Sequence, residues 1–424
     1  MKVKGTPSQG LTGTTLGFFF GFAAVALYGP TAIKFKEAMD LTPLLLGLLI
    51  AIPSLSGSLL RIPFGAWVDS NGGKKPFLLL MILSVIGLGG VTLLLATSYP
   101  DGMKGMYGLV LFFGFLSGCG IATFSVGIGQ TSYWFPRQKQ GSALGTFGGL
   151  GNLAPGIFSI ILPLFLKQYG FISAYFAWFL FLLLGTFSYA ILGRNAWYFQ
   201  FRKKGLSEAE SKSRAAELGQ ELFPAGNAKD SLILSAKIKN TWALVALYFT
   251  TFGGFIALTA WFPTYWIEYQ CFSTLRAGLF TATFSIIASL VRVYGGKVAD
   301  KLGGEKVALG AMSVILIAAA LLSWSSGVAV SILIIIALAA AMGMANAAIF
   351  KLVPSYVPGA IGGAAGWIGG LGAFGGFALP PVMGAIAGRY GEAGYARGFL
   401  VFVALAAIDL VIIRMLLRSK AKKH

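Results

Sequence analysis

The chain is poor in the residues from which most active sites are built. It has one histidine, the terminal His424, and two cysteines, Cys119 and Cys271, both in or beside apolar segments. No disulfide framework or metal site is implied by so few ligands, and no cofactor is expected. Charge is scarce as well. Asp, Glu, Lys and Arg make up 11% of the 424 residues, and only 14 of these are acidic. A membrane enzyme would need a nucleophile, an acid pair or a metal cluster at membrane depth, and none is visible. The first ten residues are polar and contain no hydrophobic segment followed by a cleavage site, so no removable signal peptide is expected.

What the chain has in quantity is apolar surface and glycine: 56% of its residues are hydrophobic and 58 are Gly. That composition describes a polytopic membrane protein. The expected fold is all-α, with twelve transmembrane helices in two pseudo-symmetric six-helix halves. Hydropathy puts spans near 14–33, 43–68, 76–97, 106–135, 141–166 and 171–193, then 241–266, 276–299, 307–325, 328–350, 360–388 and 397–418. Residues 1–194 and 241–424 would form the halves, with 195–240 as the linker. The net charge of +19 suggests nucleic acid only until the basic residues are located. Of the 33, 24 lie in the tails, the linker and alternate loops on one side. That bias is a topology signal. It makes both termini cytoplasmic, in a multi-pass protein of the inner (plasma) membrane, and gives no reason to expect a nucleic-acid partner.

One motif occurs twice. Arg61–Lys75 reads RIPFGAWVDSNGGKK and Arg292–Lys306 reads RVYGGKVADKLGGEK. A shift of 231 residues superposes Arg61 on Arg292, Gly65 on Gly296, Asp69 on Asp300 and Lys75 on Lys306. The chain is therefore two related halves. Each Asp sits where an apolar helix leaves the membrane, and each Arg lies eight residues earlier. At helical rise the arginine is about 12 Å inside that surface, close to the middle of a core about 30 Å thick. A charge there costs at least about 2.5–3.5 kcal/mol, and such residues usually mark a substrate or ion path. Asp69, Lys75, Asp300 and Lys306 are expected to form interhelical charge pairs at a cytoplasmic gate.

A second repeat is rich in glycine. Gly141, Gly145, Gly148, Gly149 and Gly151 align, at a shift of 221, with Gly362, Gly366, Gly369, Gly370 and Gly372. Glycine on one helix face allows another backbone to approach closely, either as static packing or as a sliding contact. The first run ends in Asn152, a polar amide at membrane depth, where the second has Ala373. In the linker, Ser207 and Glu210 form a capping box, so SEAESKSRAAELGQEL reads as a polar helix in a solvated connector.

Together these features resemble the major facilitator superfamily. Within it, SLLRIPFG, WFPRQKQGSALGTFGGLGN and GWIGGLGAFGGFALP are similar to the nitrate/nitrite porter family, the two glycine runs matching its paired signatures. The resemblance implies that Arg61 and Arg292 bind substrate, together with Asn152, Phe124, Tyr248 and Phe252. Ala373 departs from that pattern.

The residues support this independently. Apart from Asp409, which has Arg414 near it on the same helix, no acidic residue lies inside a span. Arg61 and Arg292 therefore lack an evident counter-ion, and the cargo is expected to supply the negative charge. A guanidinium fork suits a planar oxyanion, and aromatic rings can wall its faces. Nitrate and nitrite fit; a multiply charged tetrahedral anion would want more positive charge. The expected function is alternating-access transport of nitrate and nitrite by a monomer in the lipid bilayer. Exchange is favoured, because no titratable group lies on the path and an empty pair of charges disfavours reorientation. Proton–nitrate symport, a small carboxylate as cargo, and a non-transporting nitrate sensor are the competing readings.

Overall fold

In an apolar bilayer the backbone must bond to itself, and helices do this within one segment. Among the described residues twelve helices are long and apolar enough to cross. In order they run Pro7–Met39, Pro43–Asn71, Lys74–Ser98, Tyr107–Ser132, Ala143–Tyr169 and Phe171–Leu192, then Lys239–Glu268, Thr274–Ala299, Gly304–Trp324, Val328–Val353, Gly363–Tyr390 and Glu392–Arg418. The computed structural model describes residues 3–136, 139–224, 228–324, 327–357 and 361–421, and every regular element among them is helical. An even number of crossings leaves both termini on one side, called here the terminal side; the other is the far side.

Several spans start on a Ser or Thr cap. Thr6, Thr42 and Ser273 accept through their hydroxyls from the backbone N–H groups of Gln9, Leu45 and Arg276, satisfying donors that a helix start leaves open. Thr6 followed by Pro7 starts the first span seven residues before hydropathy alone expects.

Among the described residues, six spans are interrupted. The first gives way to 3-10 turns at Ala23–Ala26 and Gly29–Thr31, at the Gly29–Pro30 pair. The second breaks at Leu60, because Pro63 has no N–H for the Leu59 carbonyl, and a new helix starts at Arg61. The fifth breaks after Asn152, where Pro155 likewise leaves the Gly151 carbonyl without its donor. The seventh widens into a π-helical turn at Phe249–Gly253. The eleventh is divided between Ala373 and Gly375. The twelfth is divided at Gly398 and Phe399, between Glu392–Arg397 and Leu400–Ala421. Four of the six breaks fall on or beside residues singled out above.

The two sets of six spans meet unequally at the two membrane faces. On the far side contact is backbone to backbone: a Cβ on Gly47 would lie 2.5 Å from the Pro380 carbonyl oxygen, and one on Gly29 would strike that of Ala260. Lys36 Nζ and Glu268 Oε1 form an ion pair there at 2.8 Å. Toward the terminal side, a Cβ on Gly145, Gly296 or Gly369 would meet nothing within 4 Å.

One expectation needs correction, and another is not met among the described residues in this conformation. The linker is more than a solvated connector. Its capping box is present, with Ser207 Oγ accepting from the Glu210 N–H and the Ser207 N–H donating to the Glu210 carboxylate; the Ser207 hydroxyl and then its N–H, both donating to that carboxylate, hold it below its usual range. However, Trp197–Lys203 and Glu208–Glu217 also build a small core of Trp134, Tyr198, Phe199, Phe201 and Ala215. A third helix, Ala228–Ala236, packs on the eleventh span, where Trp367 Nε1 donates to the Leu232 carbonyl at 2.9 Å. Apolar residues inside a polar segment drive this docking.

The loop-repeat carboxylates also bond differently from expectation. Asp69 Oδ1 accepts from Tyr133 Oη at 2.6 Å, while Lys75 and Lys306 are exposed and join no ion pair among the described residues. Lys351, rather than Lys306, reaches the end of the eighth span, donating to the Ala299 carbonyl at 2.9 Å. The Asp300 side chain lies outside the described residues. A lysine just past a helix end points into solvent, whereas a tyrosine from the adjacent fourth span is already at the carboxylate.

Candidate functional site

Arg61 is fully buried at the break of the second span. Its Nε donates to the Gly57 carbonyl one turn earlier at 2.9 Å, and its Nη1 donates across to the Gly369 carbonyl of the eleventh span at 3.1 Å. Nη2 is buried with no partner among the described residues. The guanidinium carbon sits 4.9 Å from the Phe124 ring centroid and 5.3 Å from that of Phe252. Desolvated cation–π contacts of this kind contribute about 2 kcal/mol, which offsets only part of the cost of burying the charge.

Arg292, on the eighth span, is half-buried. Its carbon is also 5.3 Å from the Phe252 centroid, so the two arginines share one ring. Its Nη2 donates to Tyr248 Oη at 3.2 Å, and Nη1 is buried without a partner among the described residues. Tyr248 stacks on Phe252 at 4.9 Å and 13°, and Phe252 stacks against Phe124 at 6.1 Å and 29°. The π-helical turn begins immediately after Tyr248 and contains Phe252. Such turns shift side-chain direction along a helix and recur at functional sites.

Asn152 closes the second half of this group. Its backbone carbonyl accepts from Ser289 Oγ at 3.3 Å, one helical turn from Arg292, and its side-chain Oδ1 is buried and unpaired. Ala373 is buried and offers no polar group. The structure thus brings Arg61, Arg292, Phe124, Tyr248 and Phe252 into one cluster, with Asn152 at its edge.

The glycine runs divide into two kinds. A Cβ on Gly148 would meet only Phe124, at 3.8 Å; one on Gly149 would meet Val293 at 3.5 Å; one on Gly145 or Gly369 would meet nothing within 4 Å. Gly145 and Gly369 thus face open space, and Gly148 lies beside the Phe124 ring. Gly151, Gly370 and Gly372 instead press on Phe18, Ile62 and Tyr248, and a Cβ on Gly366 would touch Leu232 of the linker helix at 3.2 Å. Gly141 and Gly362 begin these helices, and their surroundings lie outside the described side chains.

Two polar residues complete the inventory at membrane depth. Asp409 is buried on the twelfth span beside Thr250 of the seventh, its Oδ2 without a hydrogen bond among the described residues, and Arg414 is exposed. Asn346, on the tenth span, is 2% exposed with Oδ1 unpaired. Sequence reasoning passed over it, although an amide within AAAMGMANAAIF is a visible signal. Among the described residues no cluster could hold a metal ion.

Chemically, the cluster offers two spare guanidinium N–H faces separated by flat aromatic walls, with a phenol and an amide nearby. Bidentate donation of that kind matches a planar oxyanion.

Comparison with known proteins agrees with this architecture. A probable nitrate/nitrite antiporter, NarK1, of Thermus thermophilus is 28% identical, covering 94% of this chain and 89% of that protein. A probable nitrate transporter, NarT, of Staphylococcus epidermidis is 27% identical over 97% of both. A nitrite extrusion protein of Bacillus subtilis is 27% identical over 89% and 87%. Among solved structures, a partially occluded inward-open conformation of the xylose transporter XylE from E. coli superposes with a TM-score of 0.72 at 13% identity, over 96% and 97% of the chains. That likeness concerns the fold. The family model for the Major Facilitator Superfamily matches residues 14–380. With its twelve spans, the chain belongs to that superfamily of transporters, and it is a multi-pass membrane protein.

Proposed function

We propose that this protein exchanges nitrate and nitrite across the plasma membrane by alternating access, holding one anion between Arg61 and Arg292. The observation that carries the reading is the pair of buried, unpartnered nitrogens, Arg61 Nη2 and Arg292 Nη1, flanking one aromatic ring. At an effective dielectric of about 20, two charges about 10 Å apart repel by under about 2 kcal/mol. An anion about 4 Å from each gains about 4 kcal/mol per contact. Cargo therefore more than offsets the repulsion. The names carried by the relatives support nitrate and nitrite as that cargo.

Residues 1–194 and 241–424 are the two bodies that rock about the site, joined by 195–240, with both termini cytoplasmic. Phe124, Phe252 and Tyr248 wall the anion, and Tyr248 Oη and the Asn152 amide add polar contacts. The open faces at Gly145, Gly148 and Gly369 close on the terminal side when the far side opens. Asp69 and Asp300, with their lysines, form the gate pairs of that closed state. Exchange follows from the charge pair: empty, it stays uncompensated at the midplane, so reorientation is easier with an anion bound.

The test is nitrate uptake into proteoliposomes loaded with nitrite, nitrate or neither, with and without a pH gradient. Exchange predicts strong stimulation by trapped anion and little response to pH. Uptake into empty vesicles that follows a proton gradient would establish symport, the reading that buried Asp409 favours. Competition by formate or oxalate exceeding that by nitrate would identify a carboxylate carrier. Binding without uptake would identify a sensor.

A further inference from the structure

We infer that Asn346 is a further anion-binding residue, supplying from the tenth span the amide that the second glycine run lacks at Ala373. The inference rests on the nitrate/nitrite reading and deepens it. Three neighbours on the helix fix where Asn346 points. Met342, one turn earlier, brings its Cε to 3.1 Å from the Cβ position of Gly254 on the seventh span. Gly343 lies against the eighth span, its Cβ position 3.2 Å from the backbone nitrogen of Arg292. Phe350, one turn later, meets the Tyr248 ring edge-on at 4.9 Å and 81°.

At 100° per residue, Asn346 falls between the directions of Met342 and Gly343 and close to that of Phe350. It therefore enters the wedge between the seventh and eighth spans at the level of Tyr248 and Arg292. The side chain is 2% exposed, its Oδ1 is buried without a partner, and no side-chain hydrogen bond joins it to any described residue. Buried amides are ordinarily hydrogen-bonded. The 221-residue shift that aligns the glycine runs takes Asn346 to Ser125, next to Phe124, whose ring covers Arg61. The same level of the fourth span thus carries an aromatic contact in one half, and that of the tenth an amide in the other. Turned with its Nδ2 toward the arginines, the amide donates to an oxyanion oxygen.

The experiment is calorimetric titration of nitrate and of nitrite into the purified full chain and into Asn346→Ala and Asn346→Asp, with thermal melting of each protein in anion-free buffer. Asn346→Ala weakens nitrate binding about tenfold, the worth of one hydrogen bond to a charged group, and changes the nitrate-to-nitrite affinity ratio. Asn346→Asp, nearly the same size, weakens it more than a hundredfold by adding a negative charge, and carries the test should the alanine variant fail to fold. Wild-type affinity in either folded variant overturns the inference. So does weaker binding of both anions by the same factor, matched by a fall in melting temperature, which is the signature of a packing role. If the unaltered chain binds neither anion, the nitrate/nitrite reading itself fails, an outcome distinct from a failure confined to the variants.

Discussion

Arg61 and Arg292 occupy the same position of a repeated motif, yet the two halves hold them differently. Arg61 is fully buried, lies over two rings and bonds across to the eleventh span through the Gly369 carbonyl. Arg292 is half-buried, lies over one ring and bonds to Tyr248, within its own set of spans. One arginine is therefore a strut between the two sets, and the other travels with its own. The asymmetry extends to the membrane faces: the far side is closed by backbone contacts at Gly29 and Gly47, while Gly145, Gly296 and Gly369, toward the terminal side, face open space. In a carrier that rocks, the Arg61–Gly369 bond must lengthen or re-form with each cycle, whereas Arg292–Tyr248 persists.

The largest expected effect comes from altering the arginines. Arg61→Lys and Arg292→Lys keep the charge and lose the fork, and each should lower nitrate uptake by proteoliposomes at least about a hundredfold, with normal membrane insertion. Near-normal uptake by either variant would remove the shared anion from the comparison. Next comes Gly369→Leu or Gly148→Leu. A Cβ meets nothing within 4 Å at Gly369 and only the Phe124 ring, at 3.8 Å, at Gly148, so these variants should fold and bind nitrate within a few-fold of wild type while uptake falls at least about tenfold, because the faces can no longer close. Loss of binding together with uptake would instead mark the glycines as static packing. Gly47→Leu is the contrast: its side chain would drive into the Pro380 carbonyl, and lower melting temperature and yield should dominate.

Tyr248→Phe removes the oxygen that Arg292 Nη2 bonds. A hydrogen bond to a charged group is worth about 1.5–3 kcal/mol, so nitrate affinity should fall about tenfold or more; an unchanged dissociation constant would show that Arg292 positions itself. The smallest effect belongs to Glu268→Gln, which breaks the far-side ion pair with Lys36. Such pairs contribute up to about 1 kcal/mol, so far-side opening should rise no more than about fivefold. Alkylation of a cysteine at Ala260, in a Cys271→Ser background, reads that opening directly, and a rate unchanged by Glu268→Gln would leave the closure to the glycine contacts alone.

Much of this was legible in the sequence for definite reasons. Apolar runs and the basic-loop bias locate the spans, since hydrocarbon tolerates little else. The eight residues from Arg61 to Asp69 set the arginine's depth, because helical rise is fixed. The identity of Phe124, Tyr248 and Phe252 as site aromatics came from resemblance, since one phenylalanine in 35 carries no mark of its own. The linker core around Trp134 and the tyrosine partner of Asp69 were missed, because both depend on which spans lie side by side.

The sequence by itself determined the number of spans, the twofold repeat and the shortage of carboxylates within them. These follow from composition and spacing, which local geometry converts directly into position. Only the tertiary structure decided that the two arginines share Phe252, that the seventh span widens into a π-helical turn at Phe252, and that Asn346 is buried. Each of those depends on the rotation of one helix against another. Side chains hundreds of residues apart fix that rotation by packing, and no local pattern records it.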